Sequence, residues 1–182
     1  MGAQEFLRRV EQTPIRSRRN ATPCPGLTVW DVVNHVVAGN IFAVRLLTGA
    51  GRDTAVAGLD ADHLGDDAVR AVDETCREQI RAFNAVGDLD AMCLPHPAGD
   101  ITAYTFLRFR LGELVVHAWD VARGAGLDET LDAELVAEMW RLVEPALADM
   151  AVSTAFGKGA SGTVLLTADM HLKVLDAFGR RP

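Results

Sequence analysis

No Cys-x-x-Cys pair occurs in this 182-residue chain, and its three cysteines, Cys24, Cys76 and Cys93, are an odd number. That excludes a cysteine zinc site and a disulfide framework, so the thiols read as reduced and the protein as cytoplasmic. Long hydrophobic runs are missing too. The longest uncharged stretch of the second expected helix is bounded by Asp31 and Arg45, well short of the roughly 20 residues a membrane span requires. The opening residues, MGAQEFLRRVEQ, carry acids and no apolar h-region, so no signal peptide is expected. Positive charge is scarce: 18 Lys and Arg stand against 25 Asp and Glu, a net charge of −7. Nucleic acid is therefore not an expected partner, because phosphate binding needs clustered Lys and Arg. The one basic cluster, Arg16, Arg18 and Arg19, is too short to change that. There is no G-x-S-x-G elbow and no G-x-x-x-x-G-K-[ST] loop, so serine hydrolysis and P-loop nucleotide binding lack support.

What is present is helix. Hydrophobic residues make up 49% of the chain, enough for the core of a single domain over residues 1–182. A short amphipathic helix is expected over Ala3–Glu11. In ATPCPGLTVWDV, two prolines and Gly26 break regular structure, and Thr28 with Asp31 reads as a near capping box. The helix it opens should run to Leu47 and stop at Gly49. Gly51–Gly65 reads as a linker. A third helix should start at Asp66 or Asp67, with Val69, Val72, Cys76, Ile80 and Phe83 at helical spacing. Gly87–Asp100, with Pro95, Pro97 and Gly99, reads as an irregular loop. A fourth helix should cover Thr102–Arg123 and end at Gly124 or Gly126. A fifth should run from Asp132 through Met150, kinked at Pro145. Val164–Leu166 reads as a short extended piece and Ala168–Phe178 as a last helix. The fold class is all-α, a helical bundle.

The chemistry-bearing residues sit on two of these helices. Glu113 and His117 are four apart in an apolar run free of Gly and Pro, LGELVVHAWDVA, so they stack one turn apart on one helical face. A carboxylate and an imidazole so placed are two ligands for a divalent metal. His35, in the middle of TVWDVVNHVVAGNIFAVRLL, is the third candidate. Two histidines and one carboxylate would leave coordination positions open, as a catalytic site needs. Arg110, Glu113, His117 and Asp120 share one stripe of a helix that is apolar almost all round, so their charges need pairing or a metal. Ala38 and Gly39 leave room beside His35. Asp31 and Asp120 are candidate acceptors that fix the tautomers of the two histidines. Each feature has a plainer reading: a surface Glu–His pair, a hydrogen-bonded core histidine, exposed charges. Cys24 reads as a small loop-packing residue, and His96, between two prolines, as a candidate for a cleft mouth.

TPCPGLTVWDVVNHVVAGN resembles the opening motif of actinobacterial proteins related to mycothiol-dependent maleylpyruvate isomerase, roughly T-x-C-P-G-W-T-V-x-D-[LV]-x-x-H-[LV]. GDITAYTFLRFRLGELVVHAWDVARGAG is similar to that family's second hallmark, an acidic residue shortly before [LV]-x-H-x-W-D-[LV]-A-R, and DMHLKVLDAFGRRP to its usual ending. The resemblance implies a DinB-like four-helix bundle, up-down-down-up, with a divalent metal, commonly zinc, held by His35, Glu113 and His117. Leu27 stands where the family usually has Trp. The further C-terminal domain of the isomerase itself is not expected here, so the resemblance is read for the fold and the metal site and not for that specific isomerisation.

The expected function is a metal-activated attack of a low-molecular-weight thiol, mycothiol by resemblance, on a small electrophile: S-transfer, conjugation or thiol-assisted isomerisation. Arg110 and Arg123 are candidate contacts for a substrate carboxylate. The rival expectation is a non-catalytic bundle that binds metal or a small ligand in a sensor or structural role. A homodimer through apolar helix faces is expected on general grounds.

Overall fold

A computed structural model gives the fold, and it describes residues 1–146, 160–164 and 167–181. It is all-α and DinB-like, with a two-residue hairpin as its only sheet among the described residues. Four helices form the bundle: α1 (Gly2–Gln12), α2 (Val29–Leu47), α4 (Ala68–Asn84) and α5 (Ala103–Ala125). A short α3 (Arg52–Val56) lies between α2 and α4. After α5 come α6 (Ala133–Val143), a 3₁₀ turn over Glu144–Ala146, and α7 (Met170–Ala177).

Cross-helix pairs fix the helix directions. α2 runs against α5, because Val29 abuts Gly124 at one end and Phe42 meets Phe106 at the other. α4 also runs against α5, since Gln79 bonds Arg110 and Phe83 packs on Phe106. α1 runs with α5: Gly2 lies against Leu111 and Leu114, while Arg9 reaches the carbonyls of Asp128 and Thr130 beyond the far end of α5. The order is up-down-down-up, as the resemblance implied.

Local chemistry sets where the helices begin and end. Thr28 and Asp31 close a reciprocal capping box, with Asp31 N–H donating to Thr28 Oγ1 at 3.2 Å and Thr28 N–H to Asp31 Oδ2 at 2.9 Å. Asp31 is therefore a capping residue rather than a partner of His35. Asp67 caps α4, and α5 ends one residue before Gly126, whose φ of 70° is left-handed. The expected 51–65 linker contains α3, which Arg45 fastens through the carbonyls of Ala55 and Ala57. The expected 87–100 loop carries a hairpin pairing Cys93–Leu94 with Ile101–Thr102. The fifth helix turns 3₁₀ at Glu144, where Pro145 supplies no N–H to continue the ladder. The rest of that expectation, through Met150, lies outside the described residues, as do Leu165 and Leu166 of the extended piece.

The core is in two parts. A large apolar cluster holds Phe6, Val33, Val115, Trp119 and Phe178, and a second holds Phe42, Leu46, Phe83, Leu94 and Phe106. Between them, on α2, α4 and α5, lie the buried polar side chains Asn40, Gln79 and Arg110. Arg110 Nε donates to Gln79 Oε1 at 2.8 Å and Nη2 to Asn40 Oδ1 at 2.9 Å. This explains why α4 buries Gln79 and leaves Ile80 47% exposed, against the apolar spacing. A buried guanidinium must be hydrogen-bonded, and Gln79 does it.

Gly39 makes the approach possible, since a Cβ there would lie 2.8 Å from Arg110 Cζ. The room beside His35 is thus taken by Arg110. Gly39→Ala should destabilise the fold by about 1–3 kcal/mol, the usual range for overpacking, and denaturant unfolding would read it. A loss under half of that would mean the guanidinium moves aside freely. Among the described residues no helix is long and apolar enough to cross a membrane.

Candidate metal centre

The antiparallel α2–α5 seam brings His35 against Glu113, 78 residues away in sequence, and against its helical neighbour His117. His35 Nε2 lies 2.8 Å from Glu113 Oε2, and His117 Nε2 lies 3.1 Å from the same oxygen. The two imidazole rings meet edge to face with centroids 5.1 Å apart. One donor atom from each residue lies within 4.8 Å of the others. Ligands about 2.1 Å from a tetrahedral ion stand roughly 3.4 Å from one another, so this set needs little adjustment to hold one. It is also open on one side. The His35 side chain is 51% exposed, whereas those of Glu113 and His117 are 17% and 7% exposed.

The second nitrogen of His117 is fixed as well. Nδ1 lies 2.8 Å from Asp120 Oδ2, and Asp120 is fully buried. Arg180 grips the same carboxylate with two donors, Nε to Oδ1 at 3.1 Å and Nη2 to Oδ2 at 2.5 Å. Its Nη1 donates to Phe178 O at 2.8 Å. Phe178 is seated where α5 has Gly112, at which a Cβ would come 2.6 Å from the ring. The result is a carboxylate–imidazole pair that holds Nδ1 protonated and aims Nε2 at the centre.

Electrostatics follow from this geometry. With carboxylate oxygens at both ring nitrogens, His117 without a cation is a doubly donating imidazolium. Burial opposes that charge, but Glu113 and the hydrogen bonds to Asp120 and Glu113 outweigh it and push His117 up to about 9. Burial likewise raises Glu113, yet the His117 charge and the bonds from both imidazoles hold it well below 4.5. Asp120 is kept low against burial by its bonds to His117 and Arg180. A divalent cation would take the place of the Nε2 proton.

These directions predict a pH dependence for metal-stripped protein. The raised His117 contributes stability that is complete below pH 6.5 and is lost as pH climbs through about 9. The lowered Glu113 contributes stability that is complete above pH 4.5 and is lost on acidification through its depressed value. Denaturant unfolding should give a plateau between pH 4.5 and 6.5. From there to pH 9.5 it should fall by up to about 3 kcal/mol, at roughly 1.4 kcal/mol per pH unit. Metal uptake at pH 7 should release about one proton. A flat profile in the stripped protein would remove the imidazolium from the account.

The remaining sequence candidates are placed as follows. Arg110 is buried, and its guanidinium faces Gln79, Asn40 and Val36 O rather than the open side of the centre. Arg123 is partly exposed, lies over the Trp119 ring at 4.9 Å and pairs with Glu129 at 3.6 Å. Cys24 is half-buried, and its thiol forms a second ligand-type group with His117 and Asp120. Burial pushes that thiol up, against the pull of Arg180, which keeps it protonated. Arg180 was given no role by sequence reasoning. The signal was there: a buried Asp120 in an apolar helix demands a cation, and FGRRP carries one.

A sequence model described as the mycothiol maleylpyruvate isomerase N-terminal domain matches residues 2–122, two thirds of the chain, and includes His35, Glu113 and His117. Two curated relatives, both uncharacterized proteins from strains of Mycobacterium tuberculosis, are 30% identical over 117 residues. The alignments cover 64% of this chain and 59% of each relative, so the chain spans less than two thirds of their length. No solved structure matches it.

Proposed function

Since this chain belongs to the family of mycothiol maleylpyruvate isomerase N-terminal domains, we propose that it is a divalent-metal-dependent thiol S-transferase or thiol-assisted isomerase. Mycothiol is the thiol the family points to, and a small electrophile is the other substrate. His35, Glu113 and His117 hold the cation, most simply zinc, which two imidazoles and one carboxylate suit. When bound, such a cation lowers the pKa of a thiol placed on its open side, so that the nucleophilic thiolate is available near neutral pH.

The single observation that carries this reading is the convergence of His35 Nε2 and His117 Nε2 on Glu113 Oε2, with His117 locked from behind. A structural cation site is closed by four protein ligands; this one offers three and an exposed side at His35. The chain's own residues perform distinct tasks. Asp120 and Arg180 keep the His117 lone pair pointed outward. Glu113 supplies negative charge with limited access to water. His35, on the exposed rim, leaves the approach open.

The test is metal analysis of purified protein followed by a thiol assay. Near-stoichiometric zinc or another divalent metal should be present or loadable. Mycothiol should then be consumed with an electrophile from a panel of maleylpyruvate-type, epoxide and haloarene compounds, and the consumption should stop with a chelator. Absence of metal after reloading would end the proposal. Metal without thiol turnover would favour the non-catalytic bundle.

A further inference from the structure

Past the three candidate ligands, the α2–α5 seam continues into an aromatic group with one polar member, His96, of whose two ring nitrogens only Nδ1 is used by the fold. Phe109 lies one turn before Glu113 on α5, roughly 6 Å along the axis, and Phe106 lies just below it. Phe42 faces them from α2, on the stripe that carries His35. Into this group the hairpin before α5 inserts His96. Its ring centroid is 5.6 Å from Phe42, 5.8 Å from Phe106 and 6.3 Å from Phe109.

His96 is held in a defined state. Arg52 Nε donates to His96 O at 3.2 Å, and Arg52 Nη2 pairs with Asp100 Oδ1 at 2.9 Å, which pins the turn. The Ala98 N–H donates to His96 Nδ1 at 3.2 Å, so in the neutral ring the proton sits on Nε2. Burial, aided by the nearby Arg52 charge, lowers its pKa and keeps the ring neutral. The half-buried His96 Nε2–H has no acceptor among the described residues. Solvent reaches this donor, since it is not among the enclosed unpartnered side-chain atoms of the described residues, so a ligand acceptor can take the place of water there.

We propose that His96 Nε2–H, framed by Phe42, Phe106 and Phe109, is a substrate-positioning donor for an apolar or aromatic molecule carrying an oxygen acceptor, carbonyl or carboxylate, at the end remote from the reacting atom. The proposal rests on the thiol–metal reading above and adds the substrate class. The thiol sulfur sits at the His35 side of the centre with the electrophile's reacting atom beside it; the electrophile's apolar body lies along Phe109, and its distant oxygen accepts from His96. His96 takes no part in bond making.

The test compares two thiols of similar shape, para-mercaptophenylacetate and para-ethylthiophenol, binding to cobalt-loaded protein. Thiolate-to-cobalt absorption reports the affinity without turnover. Wild-type protein should prefer the carboxylate by about tenfold, the worth of one good hydrogen bond in a half-buried site. His96→Phe keeps a ring in the aromatic group and removes the donor. It should bring the preference to about one and leave para-ethylthiophenol binding unchanged. Equal affinities in the wild type, or a preference that survives His96→Phe, overturn the subsite alone. If neither thiol perturbs the cobalt spectrum, the thiol–metal reading falls and takes the subsite with it.

Discussion

Replacing His117 with alanine should reduce divalent metal affinity by two to three orders of magnitude. Structural zinc in small four-ligand sites contributes about 10–16 kcal/mol, so one ligand is worth roughly 3 kcal/mol, or some 200-fold. His35→Ala removes a ligand of the same kind and should cost similar affinity. The two variants should differ sharply without metal. His35 is half exposed and its one hydrogen-bonding partner among the described residues is Glu113, so its loss should change metal-free stability by less than about 1 kcal/mol. His117 is buried between two carboxylates. Its loss leaves Glu113 and Asp120 short of a counter-charge, which should cost about 3–5 kcal/mol. Metal titration by calorimetry and denaturant unfolding of chelator-treated protein read the two effects separately. Equal stability losses in both variants would mean that the buried imidazolium contributes nothing to the metal-free fold.

The second large effect belongs to Asp120. Asp120→Ala leaves the Arg180 guanidinium, itself 9% exposed, without its carboxylate, and frees the His117 ring to rotate. Breaking a buried ion pair from one side costs about 3–5 kcal/mol. Losing the acceptor behind a ligand histidine lowers metal affinity by about 10–100-fold. The double variant Asp120→Ala/Arg180→Met removes both charges and should recover much of the stability but none of the metal affinity. That split separates the two jobs of Asp120, balancing Arg180 and orienting His117. Recovery of both properties together would show that metal affinity merely tracked the fold.

Much of the frame was legible before the structure because it depends on local chemistry. The Thr28–Asp31 cap, the stop at Gly49 and the end of α5 at Gly126 involve residues within a few positions of one another. Glu113 and His117 were legible for the same reason, since helical spacing alone aligns them. His35 became their partner through periodicity and resemblance, and the seam between α2 and α5 brings the three together. What escaped was set by distance in sequence. Nothing near Ile80 announces that Gln79 must turn inward; that is decided by Arg110, 31 residues away. Arg180 is 60 residues from Asp120, and only the packing of α7 and Phe178 over Gly112 makes them neighbours. The hairpin that delivers His96 is two residues per strand, too short for a periodic signal.

The polar layer of Asn40, Gln79 and Arg110 has a consequence for the centre that lies one turn away along α5. Aliphatic helix faces are tolerant of sliding, because one branched side chain replaces another with little loss. A slip of α5 by one turn, about 5.4 Å, would carry Glu113 and His117 out of reach of His35. It would also drag the Arg110 charge out of its three acceptors and into the phenylalanine cluster or the valine cluster on either side. An unpaired buried cation is penalised by several kcal/mol, far more than the aliphatic contacts alone could levy. Arg110 thus serves as an alignment pin: held by Gln79, Asn40 and Val36 O, it sets the height at which Glu113 and His117 of α5 meet His35 of α2.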